Sequence, residues 1–221
     1  MKNKFILASL LILGSTQAVA DSHSMNFFVT SSGPGNGGNL GGLNGADQHC
    51  KKLAASAGAG NRTWRAYLST QAAGFKDKSA VSARDRIGNG PWYNAKGIKI
   101  AKNVDELHSA NNNLTKETAL DENGNLINGR TEKPNKHDIM TGSRPDGRNF
   151  PPSPPFPDMT CGNWTKSGGD GSAMLGHHDR VGPNSDSWAT SWLSAHPSLG
   201  CDQGSLKKTG GDGFFYCCAI D

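Results

Sequence analysis

An α+β domain with long irregular loops is the architecture that this 221-residue sequence points to. One amphipathic segment near residue 50 reads as the principal helix, short β-rich runs before and after it read as strands, and turn residues fill most of the remainder. The 29 Gly and 11 Pro exceed the roughly 12% of residues that these two types usually contribute. That much glycine excludes a coiled coil or helical bundle, and five Trp with eight Phe exclude a largely disordered chain. Beyond the N-terminus no apolar run approaches the ~20 residues of a membrane span.

The first residues read as an export signal. Lys2 and Lys4 form a basic start, Phe5 to Leu13 an apolar stretch too short to span a bilayer, and Ala18-Val19-Ala20 a small-residue cleavage site. Residues 1–20 are therefore expected to be removed, leaving 21–221 as one domain, either secreted, periplasmic or associated with the outer surface. Loss of the two lysines lowers the formal net charge from +4 to about +2, too little to imply nucleic acid as a partner. Cys50, Cys161, Cys201, Cys217 and Cys218 then enter an oxidising compartment, where two bridges and one leftover thiol are expected. Spacing alone leaves their pairing open. No C-x-x-C or H-x-x-x-H spacing supports zinc instead.

Phe27-Phe28-Val29-Thr30 has the aromatic and β-branched content of a short strand. After a Gly/Asn-rich loop over 33–45, Ala46, Cys50, Leu53, Ala54 and Ala57 fall on one helical face, with Asn44 as the expected N-cap and Gly58 at the C-terminal end. Cys50 thus points into the core. Trp64 to Ser69 alternates as a half-buried strand, and from about Ala72 to Phe156 turn chemistry dominates, broken by islands such as Ile98-Lys99-Ile100. Ser172 to Leu175 and Phe214 to Ile220 are further strands. In the last, Phe215, Cys217 and Ala219 share one face while Phe214, Tyr216, Cys218 and Ile220 share the other, so adjacent cysteines point opposite ways.

Several of these blocks resemble a known family. Gly45-Ala46-Asp47-Gln48-His49-Cys50 with Thr63-Trp64-Arg65-Ala66-Tyr67-Leu68-Ser69 looks like the opening of the endostatin domain, a collagen-derived fragment with a C-type-lectin-like fold. Thr141-Gly142-Ser143-Arg144-Pro145-Asp146-Gly147-Arg148, Cys161-Gly162-Asn163-Trp164, and Cys201 followed by Phe215-Tyr216-Cys217 are similar to its later segments, in the same order over residues 25–221. Bacterial secreted and outer-surface endostatin-like proteins, often labelled lectin-like, resemble the chain more closely still. The resemblance implies a mixed, mostly antiparallel sheet, one main helix, long loops, and nested bridges Cys50–Cys217 and Cys161–Cys201. Cys218 has no counterpart in that pattern, and is left as a buried free thiol, an intermolecular bridge or a competitor for Cys50. The chain departs from the family in scattering Arg84, Arg86, Arg130, Arg144, Arg148 and Arg180 among acids, so heparin binding does not transfer automatically. It also lacks the calcium motif of sugar-binding C-type lectins, offering only Glu132-Lys133-Pro134-Asn135 and Asp186-Ser187-Trp188.

Motif chemistry is sparse. Gly33 to Gly38 formally matches G-x-G-x-x-G, but the helix begins too late to receive a pyrophosphate, and a surface loop is the plainer reading. His177-His178-Asp179 is the most metal-like run, although consecutive strand residues face opposite ways and a metal needs three or four convergent ligands. His23, third from the expected mature N-terminus, can join the terminal amine in a square-planar Cu(II) chelate. No full ligand set for Ca, Zn or Cu is legible. His49, His108, His137 and His196 read as isolated loop or structural residues, and no G-x-S-x-G elbow is present. Trp92, Tyr93, Trp188 and Trp192 lie among polar residues and, with Arg144 and Arg148, are the candidate ligand contacts; packing onto the core is the competing reading for the aromatics. The expectation is a non-enzymatic binding protein that recognises an extracellular glycan or a matrix or host protein through about 84–157 and 177–196. The alternative is a secreted metal-dependent hydrolase built on His177, His178 and Asp179.

Overall fold

The computed structural model describes residues 24–221; residues 1–20, where an export signal is expected, and His23 lie outside the described residues. The elements run β1 (Phe27–Val29), α1 (Gly42–Ser56), β2 (Trp64–Ala66), α2 (Ala83–Arg86), β3 (Trp92–Tyr93), β4 (Lys99–Ala101) and α3 (Val104–Leu107). They continue through β5 (Asp138–Met140), the tight turn α4 (Cys161–Trp164), β6 (Met174–His177), β7 (His196–Pro197), α5 (Gln203–Thr209) and β8 (Gly211–Ala219). The architecture is mixed α and β, with one long helix and a mixed sheet.

The C-terminal strand is the spine of the sheet. β1 and β2 both run antiparallel to β8 over its last residues, with Phe28 and Ala66 each opposite Cys217 and therefore on opposite edges. β5 pairs with the first half of β8 in parallel, and β6 and β7 extend the sheet antiparallel from β5. The alternation along β8 separates two cores. Phe215, Cys217 and Ala219 join Phe28, Leu68 and Met140 beneath Ala46, Cys50 and Ala54 of α1. Phe214, Tyr216 and Cys218 face the other way, onto Ile87, Trp92, Ile100, Leu107, Leu114 and Trp192. The long turn-rich stretch is thus a packed layer, built on apolar islands that insert into the second core.

Two covalent links fix these layers. Cys50 of α1 bonds Cys217 of β8, and Cys161 of the α4 turn bonds Cys201, closing spans of 167 and 40 residues. Cys218 is free and fully buried on the opposite face from Cys217, and burial pushes its thiol well above the usual range. The α4 turn is left-handed throughout, with φ of 47° at Cys161, 60° at Gly162, 57° at Asn163 and 67° at Trp164. Such backbone costs roughly 1–2 kcal/mol per non-Gly residue and persists only where the surroundings enforce it. Here the Trp164 indole N–H donates to the Ser69 carbonyl at 2.8 Å, and the Asn163 carboxamide pairs with the backbone N–H and carbonyl of Gln71.

Element boundaries shift from the sequence reading. α1 begins at Gly42, because Gly41 and Gly42 turn the chain with positive φ, and Asn44 lies inside the first turn rather than capping it. β6 covers Met174–His177 rather than 172–175. The helix α5, capped by Asp202, whose Oδ1 accepts from the Ser205 N–H, has no counterpart in the sequence reading. No helix among the described residues is long and apolar enough to cross a membrane.

Candidate functional site

Two places in the described residues gather candidate functional side chains, and they lie beyond opposite ends of β5. At its start, β5, β6 and β7 bring histidines together from distant parts of the chain. Asp138 is register partner of His177, and His196 is partner of Leu175. The Nε2 atoms of His137, His177 and His196 stand 3.1, 3.4 and 3.5 Å from a single oxygen, Asp138 Oδ1. The side chains of His137, Asp138 and His177 are buried, while His196 keeps 31% of its side chain exposed and forms the outer wall.

Gly176 makes this possible. A Cβ at that position would lie 1.9 Å from the Trp192 carbonyl oxygen, so only glycine lets the 178–195 excursion lie flat against the sheet and return His196 beside His177.

The outer nitrogens are each engaged. His177 Nδ1 lies 2.7 Å from the Ala189 carbonyl, His196 Nδ1 3.1 Å from the Pro197 carbonyl, and His137 Nδ1 3.3 Å from Asp179 Oδ1. The centre is less well satisfied: both oxygens of Asp138 and Nε2 of His177 have no hydrogen-bond partner. The rings of His137 and His177 stack at 4.2 Å with planes 12° apart. Burial, together with the neighbouring His137, lowers the pKa of His177, whereas the Asp138 carboxylate raises that of His196 against the effect of burial. Burial raises Asp179, but hydrogen bonds from His137 and from the backbone N–H groups of Arg130 and Val181 outweigh it and hold this carboxyl well below the ordinary range.

The run His177-His178-Asp179 does not converge. Only His177 enters the cluster; His178 faces away, its Nε2 3.2 Å from the Asn128 carbonyl, and burial lowers its pKa to about 4. Asp179 reaches the cluster indirectly, behind His137. His137 and His196, read from the sequence as isolated, are members of the cluster. His108 is instead tied to the Tyr67 hydroxyl at 2.6 Å and His49 to the Ser32 carbonyl at 2.8 Å. His137, Asp138 and His177 can place ligand atoms within 4.8 Å of one another.

Beyond the other end of β5, residues 143–149 form a tight turn that presents Arg144 and Arg148. The Arg144 N–H donates to the Arg148 carbonyl at 2.9 Å, and both guanidinium groups lie 3.5 Å from Asp146 Oδ2. Arg84 clasps the turn from α2, donating to the Asp146 carbonyl at 2.8 Å, and the Ser143 hydroxyl pairs with that of Ser69. The candidate aromatic contacts divide. Trp92 and Trp192 are buried in the second core and are not surface groups, correcting the reading based on their polar neighbours. Tyr93 is half-buried and borders a cleft of about 410 Å³ with Asn26, Arg62 and Asp221. Trp188 alone of the four is exposed, at 47%, with its indole N–H donating to Asp186.

No model of a known protein family matches the chain, and no curated protein matches it.

Proposed function

We propose that this is an exported, non-enzymatic recognition protein with an endostatin-like, C-type-lectin-like architecture, secreted, periplasmic or held at the outer surface. The nested bridges Cys50–Cys217 and Cys161–Cys201, with a helix between two N-terminal strands that flank the C-terminal strand, support the architectural reading. The rigid turn that displays Arg144 and Arg148 carries the functional one. Two guanidinium groups, half-exposed and steadied by Asp146 and Arg84, offer planar donor forks to an anionic group without the entropy cost of ordering a loose loop. Uronate or sulfate groups of an extracellular glycan, or acidic side chains of a matrix or host protein, are the matching chemistry. Hydrolysis at His177-His178-Asp179 lacks such support, because the three side chains are buried and face three different partners.

The test is a screen of mature protein against glycans and matrix proteins at two salt concentrations, with and without calcium. The Arg144→Ala/Arg148→Ala double variant should bind its best ligand at least about tenfold more weakly, or ~1.4 kcal/mol, with an unchanged melting curve. Trp188→Ala reports whether the 178–195 excursion shares the contact. Silence of the wild type throughout, or full binding by the double arginine variant, overturns the reading.

A further inference from the structure

We propose that His137, Asp138, His177 and His196 form a binding site for one divalent transition-metal ion of the zinc class, held by three imidazole Nε2 atoms and one carboxylate oxygen. The proposal is independent of the recognition reading above and rests on three features of the cluster.

The first is proton placement. A backbone carbonyl accepts hydrogen bonds and cannot donate, so His177 Nδ1 and His196 Nδ1 carry the ring proton toward the Ala189 and Pro197 carbonyls. His137 stands between two carboxylates, with Nδ1 3.3 Å from Asp179 Oδ1 and Nε2 3.1 Å from Asp138 Oδ1, so either nitrogen can carry its proton and Nε2 is free to ligate when Nδ1 does. In neutral His177 and His196 the remaining lone pair is therefore on Nε2, which is the atom turned toward Asp138. With the ring protons so placed, Nε2 lone pairs face the lone pairs of a buried carboxylate, and a cation, either a proton shared with Asp138 or a metal ion, is the natural partner for such a centre.

The second is dimension. A tetrahedral zinc ion with bonds of roughly 2.0–2.1 Å separates neighbouring ligand atoms by about 3.3 Å. The three nitrogens stand 3.1, 3.4 and 3.5 Å from Asp138 Oδ1, which matches three of the six edges of that tetrahedron. His137, Asp138 and His177 place ligand atoms all within 4.8 Å of one another, and His196, on the exposed wall, swings inward to complete the set. The unsatisfied state of both Asp138 oxygens and of His177 Nε2 marks the same point from the side of hydrogen bonding. Two imidazole planes only 12° apart cannot both contain one ion, so loading turns His137 and His177 out of their stack.

The third is the supporting shell. Metal-ligating histidines commonly donate their other N–H to a carboxylate or carbonyl, which fixes ring orientation and strengthens the ligand. All three rings have such a partner here, and Asp179–His137 forms the carboxylate–histidine arrangement specifically. Nitrogen-rich ligation selects zinc-class ions over Ca²⁺ and Mg²⁺, which require oxygen. Once His196 swings in, four protein ligands close the coordination sphere, giving a structural site rather than a catalytic one. The ion would tie β5 to β6 and pin both ends of the 178–195 excursion, with exposed His196 as the entry side.

The experiment uses mature protein with both disulfides intact and His23→Ala to remove the N-terminal competitor. After chelator treatment it is titrated with Zn²⁺ by calorimetry and with Co²⁺ by visible absorption. One Zn²⁺ per chain and the intense bands of tetrahedral Co²⁺ are expected. His196→Ala, at the exposed wall, should weaken binding at least tenfold. Asp179→Asn, which leaves all four ligands in place, should weaken it by about 10- to 100-fold. Histidine NMR spectra make the test independent of variant folding: Zn²⁺ should shift the ring signals of His137, His177 and His196 and leave those of His49 and His108 in place. Absence of saturable binding by the folded wild type, an octahedral Co²⁺ spectrum, or shifts confined to other histidines overturns the proposal.

Discussion

Replacing Cys50 and Cys217 together by alanine is expected to destabilise the protein by about 5 kcal/mol. In the chain-entropy account a cross-link stabilises by restricting the unfolded chain, and closing a 167-residue span is worth roughly that amount. The inner bridge, with its 40-residue span, is worth about 4 kcal/mol on the same footing. Domains of this size have net stabilities of about 5–15 kcal/mol, so loss of the outer bridge alone removes a large share. The position adds to the effect. Cys50 and Cys217 are both fully buried where α1 meets the central strand, and alanine leaves unfilled volume at that contact. Urea unfolding followed by circular dichroism checks the figure, and a change below about 1 kcal/mol would show that the layers hold without the link. Cys218 supplies a second readout. Its buried thiol should resist alkylation in the wild type and become reactive in the double variant at urea concentrations where the wild type is still protected.

The same residues explain what was legible in the sequence. The face Ala46, Cys50 and Ala54 and the alternation of β8 were readable because helical and strand periodicity directly encode which side is buried. The start of α1 was misplaced because the chain turns at Gly41 and Gly42, while the expected cap, Asn44, is two residues inside. α5 carried a readable signature, Asp202 three residues before Ser205 and Gly210 just past its end, in a stretch of little apolar periodicity. Trp92 and Trp192 were misread because polar sequence neighbours say little about burial once a loop layer covers a sheet face. The histidine cluster left no local signal at all. Its members come from the ends of three strands and converge only through sheet pairing and the close approach at Gly176, so spacing rules for metal motifs could not detect it. The adjacent run 177–179 drew attention because it is contiguous, and strand alternation then sends His178 elsewhere.

Asp47→Ala is the second substitution expected to have a large effect, about 3–5 kcal/mol. Asp47 lies on α1 and is nearly buried, and its carboxylate joins three elements. Oδ1 accepts from the Ala66 N–H of β2 at 2.8 Å, and Arg86 of α2 approaches both oxygens, at 3.0 and 2.8 Å. The other arm of Arg86 donates to the Ala66 carbonyl, so one guanidinium and one carboxylate satisfy both backbone groups of that residue. Removing the carboxylate leaves a buried cation without a counter-charge and a buried N–H without an acceptor, and either loss is costly. Arg65, which donates to Asp47 at 2.7 Å, has a side chain 41% exposed, and its truncation should cost under about 1 kcal/mol because water replaces the lost partner. Asp47→Asn keeps an acceptor for Ala66 but removes the charge, and its cost should fall between the two. Urea unfolding of the three variants orders them. If Asp47→Ala cost no more than Arg65→Ala, the join between α1, β2 and α2 would be held by apolar packing alone. The ion pair would then be a consequence of that packing and not one of its causes.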